Sequence, residues 1–222
     1  MALDLLRKQS SVNPAFKRLM QLKMHYNTAI YVEFHINENA MLYEKLIQVG
    51  ELISNCGGNE EDTWVARNSQ DMERLHHFRH SIPEAVNLLI DSRRKKDPVI
   101  TKLGTDMAVP DKHLEQIVEL YNKDLAASGL DSVMFGHIGN NHIHVNILPN
   151  SMEEYLQGKN LYSSWATQVI SLGGTVSAEH GVGKLKTALL KEMYGEDGIS
   201  QMKLLKMVFD PDIRLNKGSL FN

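Results

Sequence analysis

Residues 136–149 read Gly136-His-Ile-Gly-Asn-Asn-His-Ile-His-Val-Asn-Ile-Leu-Pro149, and the second half of that stretch alternates. His142, His144 and Asn146 fall at i, i+2 and i+4, so on a strand they share one face, while Ile143, Val145 and Ile147 share the other. The aliphatic face belongs to a core. The polar face, two imidazoles and an amide, is not built for stability alone. Residues 133–137 supply a second strand, and Gly139-Asn140-Asn141 supplies the turn, giving a β-hairpin in which His137 can approach the same polar face.

Converging imidazoles are the commonest neutral nitrogen site for a divalent transition metal. A catalytic site of that kind usually adds a carboxylate and keeps positions open. Ser177-Ala-Glu-His-Gly-Val-Gly183 offers Glu179 and His180 between a strand end and a glycine loop, where a scaffold commonly presents polar groups. Gly181 and Gly183 permit tight backbone geometry there. A lone histidine on a strand face is usually only solvated or hydrogen-bonded. Two at HxH spacing with a third across the turn form a ligand pattern.

Outward from the hairpin, helices are predicted over 3–24, 40–55 and 69–79, the last with Ser69 as N-cap. Further helices are expected from Asp111, as cap, to Ser128, over 151–171 with an interruption at Gly158, and near 185–193 and 198–209. Strands are expected over 29–36 (AIYVEFHI) and 63–67 (TWVAR), with 102–109 and the tail 212–221 extended. Elements mix without strict β-α-β alternation, and the clearest pairing is antiparallel. The fold class is α+β, an antiparallel sheet covered by helices.

Composition bounds the function. The 222 residues carry 24 basic and 27 acidic side chains, a net charge of −3, so no strong field draws nucleic acid or anionic lipid. Arg93-Arg94-Lys95-Lys96 reads as a solvated loop. One cysteine, Cys56, excludes an internal disulfide and reads as a small packing residue. No stretch approaches the roughly 18 apolar residues of a transmembrane segment, and no signal peptide opens the chain, so the cytoplasm is expected, with the inner face of a membrane as a peripheral alternative.

Together, GHIGNNHIHVNILP, GGTVSAEHGVG and FDPDIRLNKGSLF resemble the C-terminal cap domain of FAD-linked oxidases of the vanillyl-alcohol oxidase/p-cresol methylhydroxylase superfamily. That group includes glycolate oxidase, D-lactate dehydrogenase and D-2-hydroxyglutarate dehydrogenase. TDMAVPDKHL and FRHSIPEAV fit two further family segments, so the resemblance runs in order over roughly residues 26–221. It implies one ferredoxin-like cap, or substrate-binding, domain over 1–222, with FAD held mainly by an N-terminal domain absent from this chain. No dinucleotide fingerprint replaces that domain.

The resemblance further implies oxidation of a 2-hydroxy acid to a 2-keto acid, with FAD as acceptor. It assigns His137, His144 and Glu179 to a divalent metal (Zn, Mn or Fe), His180 to the base, and Arg79 to a clamp on the substrate carboxylate. Asn146 and His142 fall to substrate or flavin, as does Asn216 in the tail. Asn140-Asn141-His142 stand where D-G-N is usual, which adds a third imidazole; Ala178 replaces a glycine, and Lys217 a proline. Lys102 is out of register with a lysine the family sometimes carries. The partners implied are the small 2-hydroxy acid, an FAD-binding domain in cis or in trans, and an electron acceptor of unstated kind, with a homo-oligomer left open. Two rival readings use the same residues: a stand-alone metal-dependent hydrolase, and a non-catalytic partner subunit of a flavoprotein.

Overall fold

The computed structural model describes residues 28–36 and 39–221. The helix expected over 3–24 lies outside them. The chain divides into two compact units, Met1–Asn87 and Leu88–Asn222.

In the first unit, helix α1 (Asn39–Asn55) forms where its apolar spacing predicts it and gives way to Gly57, whose φ is +77°. Helix α2 starts here at Ser69 and runs to Arg94, past the last residue of this unit, Asn87, with Pro83 inside it. Its cap is Asn68, one residue before the predicted Ser69: the Asn68 side-chain oxygen accepts from the Asp71 amide at 2.9 Å. Residues 29–36 and 63–67, expected as strands, form no ladder. Ile30 and Val32 stand exposed, so β-branched content alone did not make a strand without a neighbour to pair with. Cys56 is exposed, not a packing residue.

The second unit holds a three-stranded antiparallel sheet in the order β1-β3-β2, formed by β1 (Leu103–Gly104), β2 (Ser132–His137) and β3 (His142–Ile147). The hairpin register pairs His137 with His142 and Phe135 with His144, as the alternation requires. The connecting 3-10 turn ends at Asn141, whose left-handed φ of +53° asparagine tolerates. Gly136 is obligatory in β2, because a Cβ there would collide with the carbonyl oxygen of His142.

Helix α3 (Leu114–Ser128) is stopped by Gly129 at φ +66°, and helix α4 (Met152–Ser171) is capped by Ser151, whose hydroxyl accepts from the Glu154 amide. Helix α4 is continuous through Gly158. That glycine is buried, and a Cβ on it would stand 2.8 Å from Leu103, so its role is close packing onto the sheet. Asp111 does not cap α3. A 3-10 turn, Asp111–His113, precedes the helix, and the Asp111 carboxylate accepts from the Asn141 amide instead. The two helices expected after residue 185 form one element, α5 (Thr187–Phe209), broken in mid-course at Gly195 with φ +65° and ψ −177°. The tail is a series of turns, with Ile213, Asn216 and Leu220 at positive φ, not an extended strand.

The core of this unit packs Val145 and Ile147 against Tyr121, Trp165, Ala166, Val169 and Val176. The rings of Tyr121 and Trp165 meet edge to face at 4.9 Å. The basic run is a solvated turn only at Lys95 and Lys96. Arg93 and Arg94 close α2, and the Arg93 guanidinium donates to the Leu148 carbonyl and, at 2.5 Å, to Asp131.

Candidate metal centre

The hairpin places His142 and His144 side by side on one face, ring centroids 4.2 Å apart, with His137 opposite in register. That face is covered: His142 is 2% exposed and Asn146 is 4% exposed. The cover comes from the loop after Thr175, whose backbone bridges Ala108. This loop brings Glu179 to the imidazoles. Its Oε1 lies 3.4 Å from His137 Nε2 and 3.3 Å from His142 Nδ1, and its Oε2 lies 3.6 Å from His144 Nε2. His180 Nε2 stands 4.0 Å from the same carboxylate, on a side chain that is 68% exposed.

Asp106 fixes the loop and was not singled out in the sequence. Its carboxylate is buried and accepts from the Glu179 amide at 3.0 Å, the His180 amide at 3.1 Å, the Ser177 hydroxyl at 3.4 Å and Lys186 Nζ at 2.6 Å. Burial alone would raise its pKa. The Lys186 hydrogen bond, the two amides and the lysine charge outweigh that and hold the carboxyl below its ordinary value. The available signal was an acid beside the apolar run Met107-Ala-Val109, with nothing local to pair it.

The proton positions decide what the cluster can bind. His144 Nδ1 lies 2.6 Å from the Thr105 carbonyl oxygen, an acceptor only, so Nδ1 carries the hydrogen and Nε2 turns a lone pair toward Glu179. Lone pair and carboxylate face one another at 3.6 Å with no hydrogen between them. Burial, then the neighbouring His144, lowers the pKa of His142 and favours its neutral ring. For Glu179, desolvation works upward, but the His142 and His137 imidazoles prevail and lower its pKa, favouring the carboxylate. Nitrogen-to-oxygen separations of 3.3–3.6 Å are too long for charge-assisted hydrogen bonds. The ligand atoms of His144, Glu179 and His180 all lie within 4.8 Å of one another, a grouping one cation can draw together, as do those of Asp106, His142 and His144, whereas His137 reaches Glu179 without joining either group. Two imidazoles and a carboxylate, His144, His180 and Glu179, are a donor set that fits a divalent metal.

Asn146 sits behind this cluster, against Gly104, with its side-chain nitrogen buried and unpartnered among the described residues. Asn216 lies in the turns of the tail, whose Leu220 amide donates to the Gly183 carbonyl at 2.8 Å and so returns to the glycine loop. The cluster is made wholly of residues from the second unit. Arg79 belongs to the first, on α2, where Tyr31 feels its charge.

A protein of Danio rerio named "Probable D-lactate dehydrogenase, mitochondrial" is 29% identical over 208 residues, covering 93% of this chain and 40% of that protein. The D-lactate dehydrogenase [cytochrome] of Kluyveromyces lactis is 33% identical over 132 residues, 60% of this chain and 23% of its own length. Glycolate oxidase subunit GlcD of Bacillus subtilis is 31% identical over 123 residues, 54% of this chain and 26% of its own. The chain therefore spans 40% or less of each of these three relatives. The family model described as FAD linked oxidases, C-terminal domain, matches residues 2–220, and the chain belongs to that family.

Proposed function

We propose that this chain is the substrate- and metal-binding cap of an FAD-dependent 2-hydroxy acid dehydrogenase of the D-lactate or glycolate type. The observation that carries the reading is the Glu179 carboxylate set among three imidazole nitrogens at 3.3–3.6 Å, with a bare lone pair on His144. Both compact units are assigned to one cap because the family match runs through both. FAD is assigned to protein outside these residues. The glycine-spaced loop 173–183 leads into turns, not into the strand–turn–helix that cradles a pyrophosphate. No helix among the described residues is long and apolar enough to cross a membrane, and a cytoplasmic place, free or at the membrane's inner face, fits the composition.

In this reading His137, His144 and Glu179 hold a divalent metal. A metal in that position supplies Lewis-acid polarisation of the substrate hydroxyl and a template for its carboxylate. The chain's own residues do the rest. The exposed His180 imidazole takes the hydroxyl proton, with its backbone amide held by Asp106. The unpartnered Asn146 amide donates to substrate or to the flavin edge, and Asn216 approaches from the tail. Arg79 offers the carboxylate a bidentate fork that lysine would not reproduce. Metal analysis of the purified chain after exposure to Zn²⁺, Mn²⁺ or Fe²⁺ tests the reading: about one ion per chain is expected, and none at all would refute it.

A further inference from the structure

We propose that Lys186 is a positioning residue. Through its ion pair with Asp106 it closes the neck of the loop 177–186 and so sets where Glu179 and His180 stand; the inference rests on the roles given to those two side chains above. Asp106 gathers both ends of this loop. At the near end its carboxylate accepts from the Ser177 hydroxyl and from the Glu179 and His180 amides, and its backbone carbonyl accepts from the Ala178 amide at 3.0 Å. At the far end Lys186 Nζ donates to Oδ2 at 2.6 Å. Between the two ends Gly181 and Gly183 take φ of +75° and +56°, where glycine leaves the backbone permissive, so the loop's shape depends on its closure.

Lys186 is the wrong residue for its local position. It is the N-cap of α5, with no side-chain cap hydrogen bond. N-caps favour Ser, Thr, Asp or Asn, whose oxygens accept from free amides, and a cation there meets the positive end of the helix dipole. Lys184, two residues earlier, is exposed as lysines usually are. The Lys186 side chain is instead 15% exposed and ends on a carboxylate that is 4% exposed. A buried pair of this kind is weak support for stability, because desolvating both charges offsets most of their attraction. Its gain is geometric. A local rule broken beside a site, and answered by a carboxylate 80 residues away, points to a residue kept for what it positions.

Amide hydrogen exchange on the full chain, read residue by residue by NMR, tests this. In Lys186→Met the Glu179 and His180 amides should exchange about tenfold faster or more, the fold-change that a hydrogen bond to a charged group is worth. Leu148 and the hairpin amides should keep their protection. Lys186→Arg, which keeps the cation, should restore most of the loop's protection. A purely structural lysine would instead loosen loop and hairpin together. Unchanged loop exchange in Lys186→Met, or a loss shared equally by the hairpin, would overturn the proposal. Should Lys186→Met not fold, the wild-type chain decides. Its Lys186 ammonium protons should give a slowly exchanging signal that exposed Lys184 lacks, and exchange as fast as that of Lys184 would overturn the proposal as well.

Titration with Mn²⁺ separates this inference from the reading it rests on. Affinity about tenfold lower in Lys186→Met, the low end of what an outer-shell loss costs, would support both. Unchanged affinity beside a loosened loop would overturn the positioning role alone. A wild-type chain that binds no Mn²⁺ would remove the metal reading, and the exchange result would still decide whether Lys186 closes the loop.

Discussion

The Glu179 carboxylate reaches His137, His142 and His144, and it is partly exposed, so its charge can be removed without opening the core. Glu179→Gln is expected to weaken metal affinity by more than the roughly 10–100-fold typical of an outer-shell loss, with an unchanged thermal transition. Calorimetric titration with Mn²⁺ would show it. His180→Ala should leave that affinity within a few-fold and instead slow turnover of the assembled flavoenzyme, since the ring approaches the cluster only to 4.0 Å. That His142 and His144 share a polar face was legible in the sequence, because period-2 spacing sets a strand's faces without any tertiary knowledge. Asp106 was not. Its partners lie 71 to 80 residues away, and no local pattern announces a carboxylate whose acceptors will be filled by a distant loop.

The hairpin was readable to within a residue, because alternation and an asparagine turn act locally. Residues 29–36 show the opposite case: strand-like composition needs a partner edge, and composition cannot supply one. Two elements give sharp tests. Gly136→Ala forces a methyl into the His142 carbonyl, so urea denaturation should show a loss of about 1–3 kcal/mol, with metal affinity falling alongside.

At the end of α5, the Asp210 carboxylate accepts from Lys206 Nζ at 2.5 Å and from the Arg214 and Leu215 amides at 2.9 and 3.0 Å, which tie down the first turn of the tail. The Lys206 hydrogen bond first, then the Arg214 amide, lowers its pKa to about 2. That lies below the roughly 3.9 of an unfolded aspartate, so the stability it contributes is fully present above about pH 4 and is lost as pH falls through about 2. Asp210→Asn should accordingly melt below wild type at pH 7, and the gap should close as the melts are taken down to pH 2.

At the scale of the molecule, Trp165 joins the helices to the sheet, fully buried against Tyr121 and donating to Asp124 at 2.8 Å. Trp165→Ala should cost about 3–5 kcal/mol, read from the denaturation midpoint. The purified chain should elute from gel filtration without flavin absorbance, because no pyrophosphate cradle is present among its described residues; a yellow, stoichiometric complex would contradict that expectation. The Asp106 junction has a kinetic consequence as well. It joins a segment beside β1 to a loop some seventy residues further on, so it closes only after most of the intervening chain has found its place. A nascent or half-folded chain then has its hairpin histidines but not Glu179, and holds a passing ion weakly. On the proposed metal reading, tight capture becomes a late event, selecting the ion for a finished protein and sparing the growing chain from whichever ion arrives first.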